Sequence, residues 1–272
     1  MVEQTLTIND HTINLYRWEV DASKANIFIA HGLGEHGGRY EHFALHFNQL
    51  GYSVFALDHQ GHGKSSGKKG HISHFQQYSD DLKFIIEKNT KEGLENILLG
   101  HSLGGVIACG FLIRNPELVT NCVISAPGFE KKIPPTAAIA FIGKLLANVF
   151  PTLSLSNEIE VEGISRSKKI VDDYVNDPLV HDRVTAKFFT SFLSEFKLIK
   201  ARISEIKIPV LMLIPGSDLI VDHGVSKEMF EQMSSDNKKL VDYPDSYHEV
   251  LNEDKERFEA YDDIEQWLAK CD

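Results

Sequence analysis

Ser102 stands in the run Gly100-His101-Ser102-Leu103-Gly104. Glycine two before and two after a serine permits a turn too tight for larger side chains, with the hydroxyl held clear of the backbone. A serine hydroxyl is a weak nucleophile at its ordinary pKa. It needs a base to take its proton and an acid to orient that base. Candidates follow in the chain order Ser, acid, His. Pro215-Gly216-Ser217-Asp218 ends an apolar run, and Pro244-Asp245-Ser246-Tyr247-His248 follows a later one. Asp222 is a second candidate for the acid, although it could instead cap the next helix. Asp218 is preferred because it lies nearer the end of its strand. The expected set is Ser102 as nucleophile, His248 as base and Asp218 as orienting acid. An oxyanion also needs two backbone N–H donors. Leu103, directly after the serine, would supply one, and Leu33 in His31-Gly32-Leu33-Gly34 the other.

The same glycines allow a rival chemistry. Gly32-x-Gly34-x-x-Gly37 matches the dinucleotide-binding fingerprint, with Asp58 about 20 residues on. Against it, the strand before these glycines is third in the chain, and Ser102, Asp218 and His248 would stand idle. Asp58 also opens a second run, Asp58-His59-Gln60-Gly61-His62-Gly63-Lys64-Ser65, which reads as an ordered loop. Metal binding is weaker still. His31-x-x-x-Glu35-His36 would need a helix to act as an inverted zinc motif, and glycines at 32 and 34 oppose one. His59/His62 and His71/His74 have ligand-like spacing without a carboxylate or thiol set, and are expected to be loop histidines.

These residues need elements to hold them. Thr5–Ile8 and Ile13–Glu19 alternate as an antiparallel edge pair. Short apolar runs at Ala25–Ala30, Ser53–Leu57, Asn96–Leu99 and Cys122–Ser125 predict strands covered on both faces. Helical patterns fall between them, at about 39–50, Gln76–Asn89 and Gly104–Asn115. Such alternation predicts an α/β fold with a mostly parallel central sheet flanked by helices. It lapses between about Gly128 and Phe196, where no clear strand is visible. It resumes with strand Val210–Ile214, helix Gly224–Met233, strand Leu240–Tyr243 and helix Glu256–Ala269. One core (1–127 and 197–272) interrupted by an inserted, mainly helical cap (128–196) is the expected organisation. Within the cap, Ala137–Phe150 is strongly apolar around Lys144, after Pro134-Pro135. It would suit either a lid in transient contact with lipid surfaces or a helix packed on the core.

The 272-residue chain is 42% hydrophobic and carries a formal net charge of −11. Its acidity argues against a nucleic-acid partner and against attraction to anionic lipid. No run reaches the roughly 18 apolar residues of a membrane-spanning helix. The first residues, MVEQTLTINDH, show no secretory signal pattern. Cys109, Cys122 and Cys271 lack metal-binding spacing and are expected to be free thiols in a reducing cytoplasm.

Taken together, His31-Gly32-Leu33-Gly34-Glu35-His36-Gly37-Gly38-Arg39-Tyr40, the Asp58–Ser65 run, the Gly100–Gly105 turn and Tyr247-His248 resemble the monoacylglycerol lipases. So do Phe150–Leu155 and Asp177-Pro178-Leu179 in the cap. The resemblance runs from about Ile13 to the end of the chain. It implies the α/β-hydrolase fold and cofactor-free, metal-free hydrolysis of a monoacylglycerol to glycerol and a fatty acid. It also implies that Glu35, Arg39, His101 and Tyr174 surround the glycerol end of the pocket. Without it, Glu35 and Arg39 would be a surface ion pair of small consequence. Leu33 and Leu103 are bulkier than is usual in that family and bear on acyl preference. Lysophospholipases and broad carboxylesterases share much of the pattern. A serine aminopeptidase would need cap carboxylates such as Glu158, Glu160 or Glu162, and a non-catalytic receptor would need no intact Ser/Asp/His set.

Overall fold

Strands that must be covered on both faces carry unbroken apolar runs, and the chain folds around four of them. The computed structural model describes residues 1–132 and 145–271. β3 (Ala25–Ala30), β4 (Tyr52–Leu57), β6 (Asn121–Ser125) and β9 (Val210–Pro215) are buried at every position. With β1 (Val2–Ile8), β2 (His11–Trp18), β5 (Glu95–His101) and β10 (Lys238–Tyr243) they form one eight-stranded sheet, ordered β1-β2-β4-β3-β5-β6-β9-β10. β1 and β2 pair antiparallel, β2 meets β4 antiparallel, and every pairing from β4 to β10 is parallel.

Helices cover both faces. Phe43 and Phe47 of α1 (Glu41–Gln49) pack with Tyr261, Ile264 and Trp267 of α7 (Glu256–Leu268) on one face. On the other lie α2 (Gln76–Asn89), α3 (Leu103–Arg114), α5 (Ala186–Arg202) and α6 (His223–Gln232). α3 is buried on all sides except at Arg114, because α2 and α5 pack over it. Arg114 meets Glu195 of α5 in a two-pronged pair at 2.6 and 2.8 Å.

The segment between β6 and β9 is where helix–strand alternation lapsed. It holds a two-stranded antiparallel ribbon, β7 (Ser154–Ser156) with β8 (Arg183–Thr185), and α4 (Lys168–Asn176). Three-residue strands carry too little alternation to be read from sequence. The expected boundary at residue 196 falls inside α5. Most of the apolar run Ala137–Phe150 lies outside the described residues. Its end, residues 145–149, is helical, and Leu145, Val149 and Phe150 are exposed.

Loops leave the C-terminal ends of β3, β5, β6, β9 and β10 on one edge of the sheet, where open α/β sheets place their sites. The β5–α3 turn is the tightest. A Cβ on Gly104 would run into the Ala30 carbonyl, and one on Gly100 into the Gly104 carbonyl. Gly104→Ala is therefore expected to destabilise the protein by about 1–3 kcal/mol, measurable by urea denaturation.

Candidate active site

Ser102 caps α3 with φ 52° and ψ −114°. Non-glycine residues rarely adopt a positive φ, and holding one costs about 1–3 kcal/mol. The surroundings impose it: the Ser102 N–H donates to Ser125 O of β6, while its carbonyl accepts from Gly105 and Gly128, each at 3.0 Å. Leu103 opens α3 at its positive end. The β3 loop lies alongside, since a Cβ on Gly32 would stand 3.3 Å from Ser102 Cβ.

His248, in the loop after β10, is buried and shares a small cavity with Ser102. Its Nδ1–H donates to Asp218 Oδ2 at 2.7 Å. Asp218 Oδ1 accepts from the Ile220 and Val221 amides at 2.7 and 3.0 Å. Burial disfavours the Asp218 charge, but His248 and His223 outweigh it and hold the carboxyl well below the usual range. Burial likewise opposes charge on His248, yet Asp218 overcomes it and raises the imidazole pKa above its ordinary value. Asp222 is kept away from this pair. It caps α6, accepting from the Gly224 amide at 2.8 Å.

The Glu35–Arg39 pair is not at the surface. Glu35 is buried and Arg39 mostly so, in a cluster that includes Glu249. Arg39 donates to Glu35 at 2.6 Å and grips both Glu249 oxygens at 2.7 Å. Glu35 also accepts from the Gly32 amide and from the Tyr40 hydroxyl. Burial works against the Arg39 charge, but Glu249 and Glu35 outweigh it and raise its pKa. Its guanidinium lies 4.8 Å from the Tyr174 ring centroid. His101 is pushed down to about 4, first by burial and then by His248, and is neutral at physiological pH. Glu249 gave no signal of its own in the sequence beyond standing next to His248. Its partner is 210 positions away in the chain.

Among the described residues the cavity measures about 20 Å³. Glu35, His101, Tyr174 and Glu249 supply its polar wall, and Leu33, Ile159, Ile164 and Ile220 its apolar wall. That is room for a water molecule rather than an acyl chain. A larger concavity of about 630 Å³ lies between the β1–β2 turn and α2 and includes none of these residues. Glu158, Glu160 and Glu162 are exposed and stand outside the cavity wall, where an aminopeptidase would need them.

The glycine fingerprint has another explanation. A Cβ on Gly34 would strike the His181 carbonyl of the inserted segment, and one on Gly37 would press on Ala56 of β4. Asp58 is fully engaged, accepting from the amides of Gly37 and Lys64 at 2.7 and 2.9 Å and from Asn14 at 3.1 Å. This leaves no acid for a ribose. The loop histidines 59 and 62 are buried, and their rings lie tilted or edge-on against those of His31 and His181. No group of side chains suited to a metal ion occurs among the described residues. Cys109 and Cys122 are buried, and no disulfide occurs among the described residues.

A family model described as "Serine aminopeptidase, S33" matches residues 21–255. The chain belongs to this family. It has the α/β-hydrolase fold. It is 32% identical over 254 residues to the human monoglyceride lipase, covering 91% of this chain and 83% of that protein. It is 29% identical over 256 residues to the monoacylglycerol lipase of Mycolicibacterium smegmatis, covering 93% of this chain and 91% of that one. The crystal structure of Paleococcus ferrophilus monoacylglycerol lipase superposes with a TM-score of 0.87 at 32% identity, covering 95% of this chain and 99% of that one.

Removing Glu249 leaves Arg39 buried with half its counter-charge. Glu249→Ala should cost about 3 kcal/mol of unfolding free energy, read by urea denaturation.

Proposed function

We propose that the protein hydrolyses monoacylglycerols to glycerol and fatty acid through an acyl-enzyme on Ser102. The enzyme is a carboxylic ester hydrolase. The observation that carries the reading is the buried Asp218–His248 hydrogen bond, in a cavity shared with a serine on a strained strand–helix turn. Lipase-named relatives of matching length support the ester class.

Ser102 Oγ attacks the ester carbonyl while His248 Nε2 takes its proton. Asp218 keeps the imidazole in the Nδ1–H form and stabilises the imidazolium. The Leu33 and Leu103 N–H groups stabilise the oxyanion, helped by the positive end of α3. His248 returns the proton to the departing glycerol. A water activated by the same imidazole then attacks the acyl-enzyme, and the fatty acid leaves.

Glu35, Arg39, His101 and Tyr174 form the polar end that meets the glycerol hydroxyls. Ile159, Ile164 and Ile220 form the apolar side where the acyl chain enters, at about 0.8 kcal/mol per buried CH₂. Residues 128–196 act as a cap over the core of 1–127 and 197–272, and must shift to enlarge the cavity for a chain. Leu145, Val149 and Phe150 give the cap an exposed apolar rim for transient contact with lipid surfaces. No helix among the described residues is long and apolar enough to cross a membrane.

Initial rates on 1-monoacylglycerols of graded chain length, with lysophospholipid, diacylglycerol and amino-acid p-nitroanilide controls, test the proposal. Monoacylglycerol turnover should dominate, and a preference for lysophospholipid or for the anilides would overturn it. Ser102→Ala and His248→Ala should each remove nearly all turnover while the circular dichroism spectrum is retained.

The base works only when neutral, and its pKa is raised above 6.5. Accordingly kcat/KM should rise with pH along a limb centred above 6.5 and level off under mildly alkaline conditions. A limb centred clearly below that value would contradict the role given to Asp218.

A further inference from the structure

Asp218 does not serve His248 alone. The same Oδ2 that accepts from His248 lies 2.7 Å from His223 Nε2. His223 is the first residue of α6, its side chain is 9% exposed, and its Nδ1 is buried without a partner among the described residues. The chemistry above makes no use of it.

The contact fixes the protons. An ionised carboxylate only accepts, so both imidazole nitrogens facing Asp218 must carry hydrogen. Neutral His248 then has its lone pair on Nε2, the atom that takes the Ser102 proton. Neutral His223 has its lone pair on Nδ1, the atom left without a partner. With Ile220 and Val221 on Oδ1, the carboxylate is held at four points. Its loop is clamped as well: Ile220 O accepts from the Lys132 amide, Glu130 O from the Asp222 amide, both at 2.9 Å, and Asp218 O from Lys132 Nζ at 3.0 Å.

We propose that His223 is a positioning residue of the hydrolytic site, whose Nε2–H shares Asp218 Oδ2 with His248, fixes the carboxylate and takes up part of its pull on the catalytic imidazole. The proposal rests on the triad assigned above. Two donors on one oxygen each receive less from it. Without His223 the whole carboxylate bears on His248, its imidazolium is stabilised further, and the base is neutral only at higher pH. The other charged groups around His248 are Glu249, Glu35 and Arg39, with the His101 ring 5.0 Å away. Lys132 and Asp222 flank Asp218. All of these stay in place when residue 223 is changed.

The test is the pH dependence of the rate at which a fluorophosphonate labels Ser102, which needs the triad but no lipid. It compares wild type, His223→Gln and His223→Phe. Gln keeps an N–H donor near the Nε2 position and Phe keeps the bulk alone. The midpoint for His223→Gln should stay at the wild-type value. For His223→Phe it should rise by about half a unit to one unit, the worth of one neutral hydrogen bond. Coincident profiles for all three, or equal shifts in both variants, would overturn the proposal. ¹⁵N spectra of histidine-labelled wild type provide a second measure that needs no variant to fold. Wherever His223 is neutral they must show it as the Nε2–H tautomer, and the Nδ1–H tautomer would overturn the proposal. Absence of labelling in wild type would instead overturn the triad, and this proposal with it.

Discussion

An ionised carboxylate inside a protein is costly unless its oxygens are fully occupied, and Asp218 is 1% exposed. Four donors meet that requirement: two backbone amides and two imidazoles. Much of the site follows from supplying them. The loop after β9 must turn sharply enough to bring its own amides back onto the side chain. The loop after β10 must carry His248 to the adjacent strand end. The register of β9 with β10, in which Ile214 pairs with Asp242 and Pro215 with Tyr243, sets these two loops side by side.

The same solution recurs around the cavity. Asp58, Glu35 and Glu253 are buried carboxylates that accept from backbone amides of the loops they sit in or face. Each ties a loop at the C-terminal edge of the sheet to a fixed point. His31 does so as a neutral ring, donating to Gly32 O at 2.8 Å and accepting from the His59 amide at 3.0 Å. Burial, and then the neighbouring His59, push its pKa well below the ordinary value, so it stays uncharged while bridging two loops. The edge that carries the candidate site is thus held by hydrogen bonding where its loops lack regular structure.

Local pattern made much of the fold legible. Gln76–Asn89 emerges with the boundaries its periodicity predicts, β3 matches its apolar run, and β4 and β5 differ from theirs by at most two residues at either end. That Asp218 and His248 would meet beside Ser102 was legible because each follows a strand and their chain order constrains the choice. Glu249 and His223 were not, since what matters about them is a partner brought close only by the fold. For Glu35 and Arg39 the spacing showed that they would pair but not that they would be buried, which depends on Glu249 and Tyr174. The fingerprint glycines illustrate the opposite error. Their spacing suits a phosphate, yet here the small residues make room for the protein's own backbone and for Ala56.

The His248 loop also leans on the insertion. His248 and Glu249 donate their amides to the carbonyls of Gly163 and Ile164 at 3.4 and 2.8 Å. Glu253, five residues after His248, accepts from Ser165, from the Arg166 amide and from the Tyr247 amide. The insertion therefore helps to hold the His248 loop, as well as lining the cavity. It is not an interchangeable module. A lineage that exchanged it for another would also have to rebuild the support of His248, so cavity shape and the placement of that imidazole are bound to evolve together.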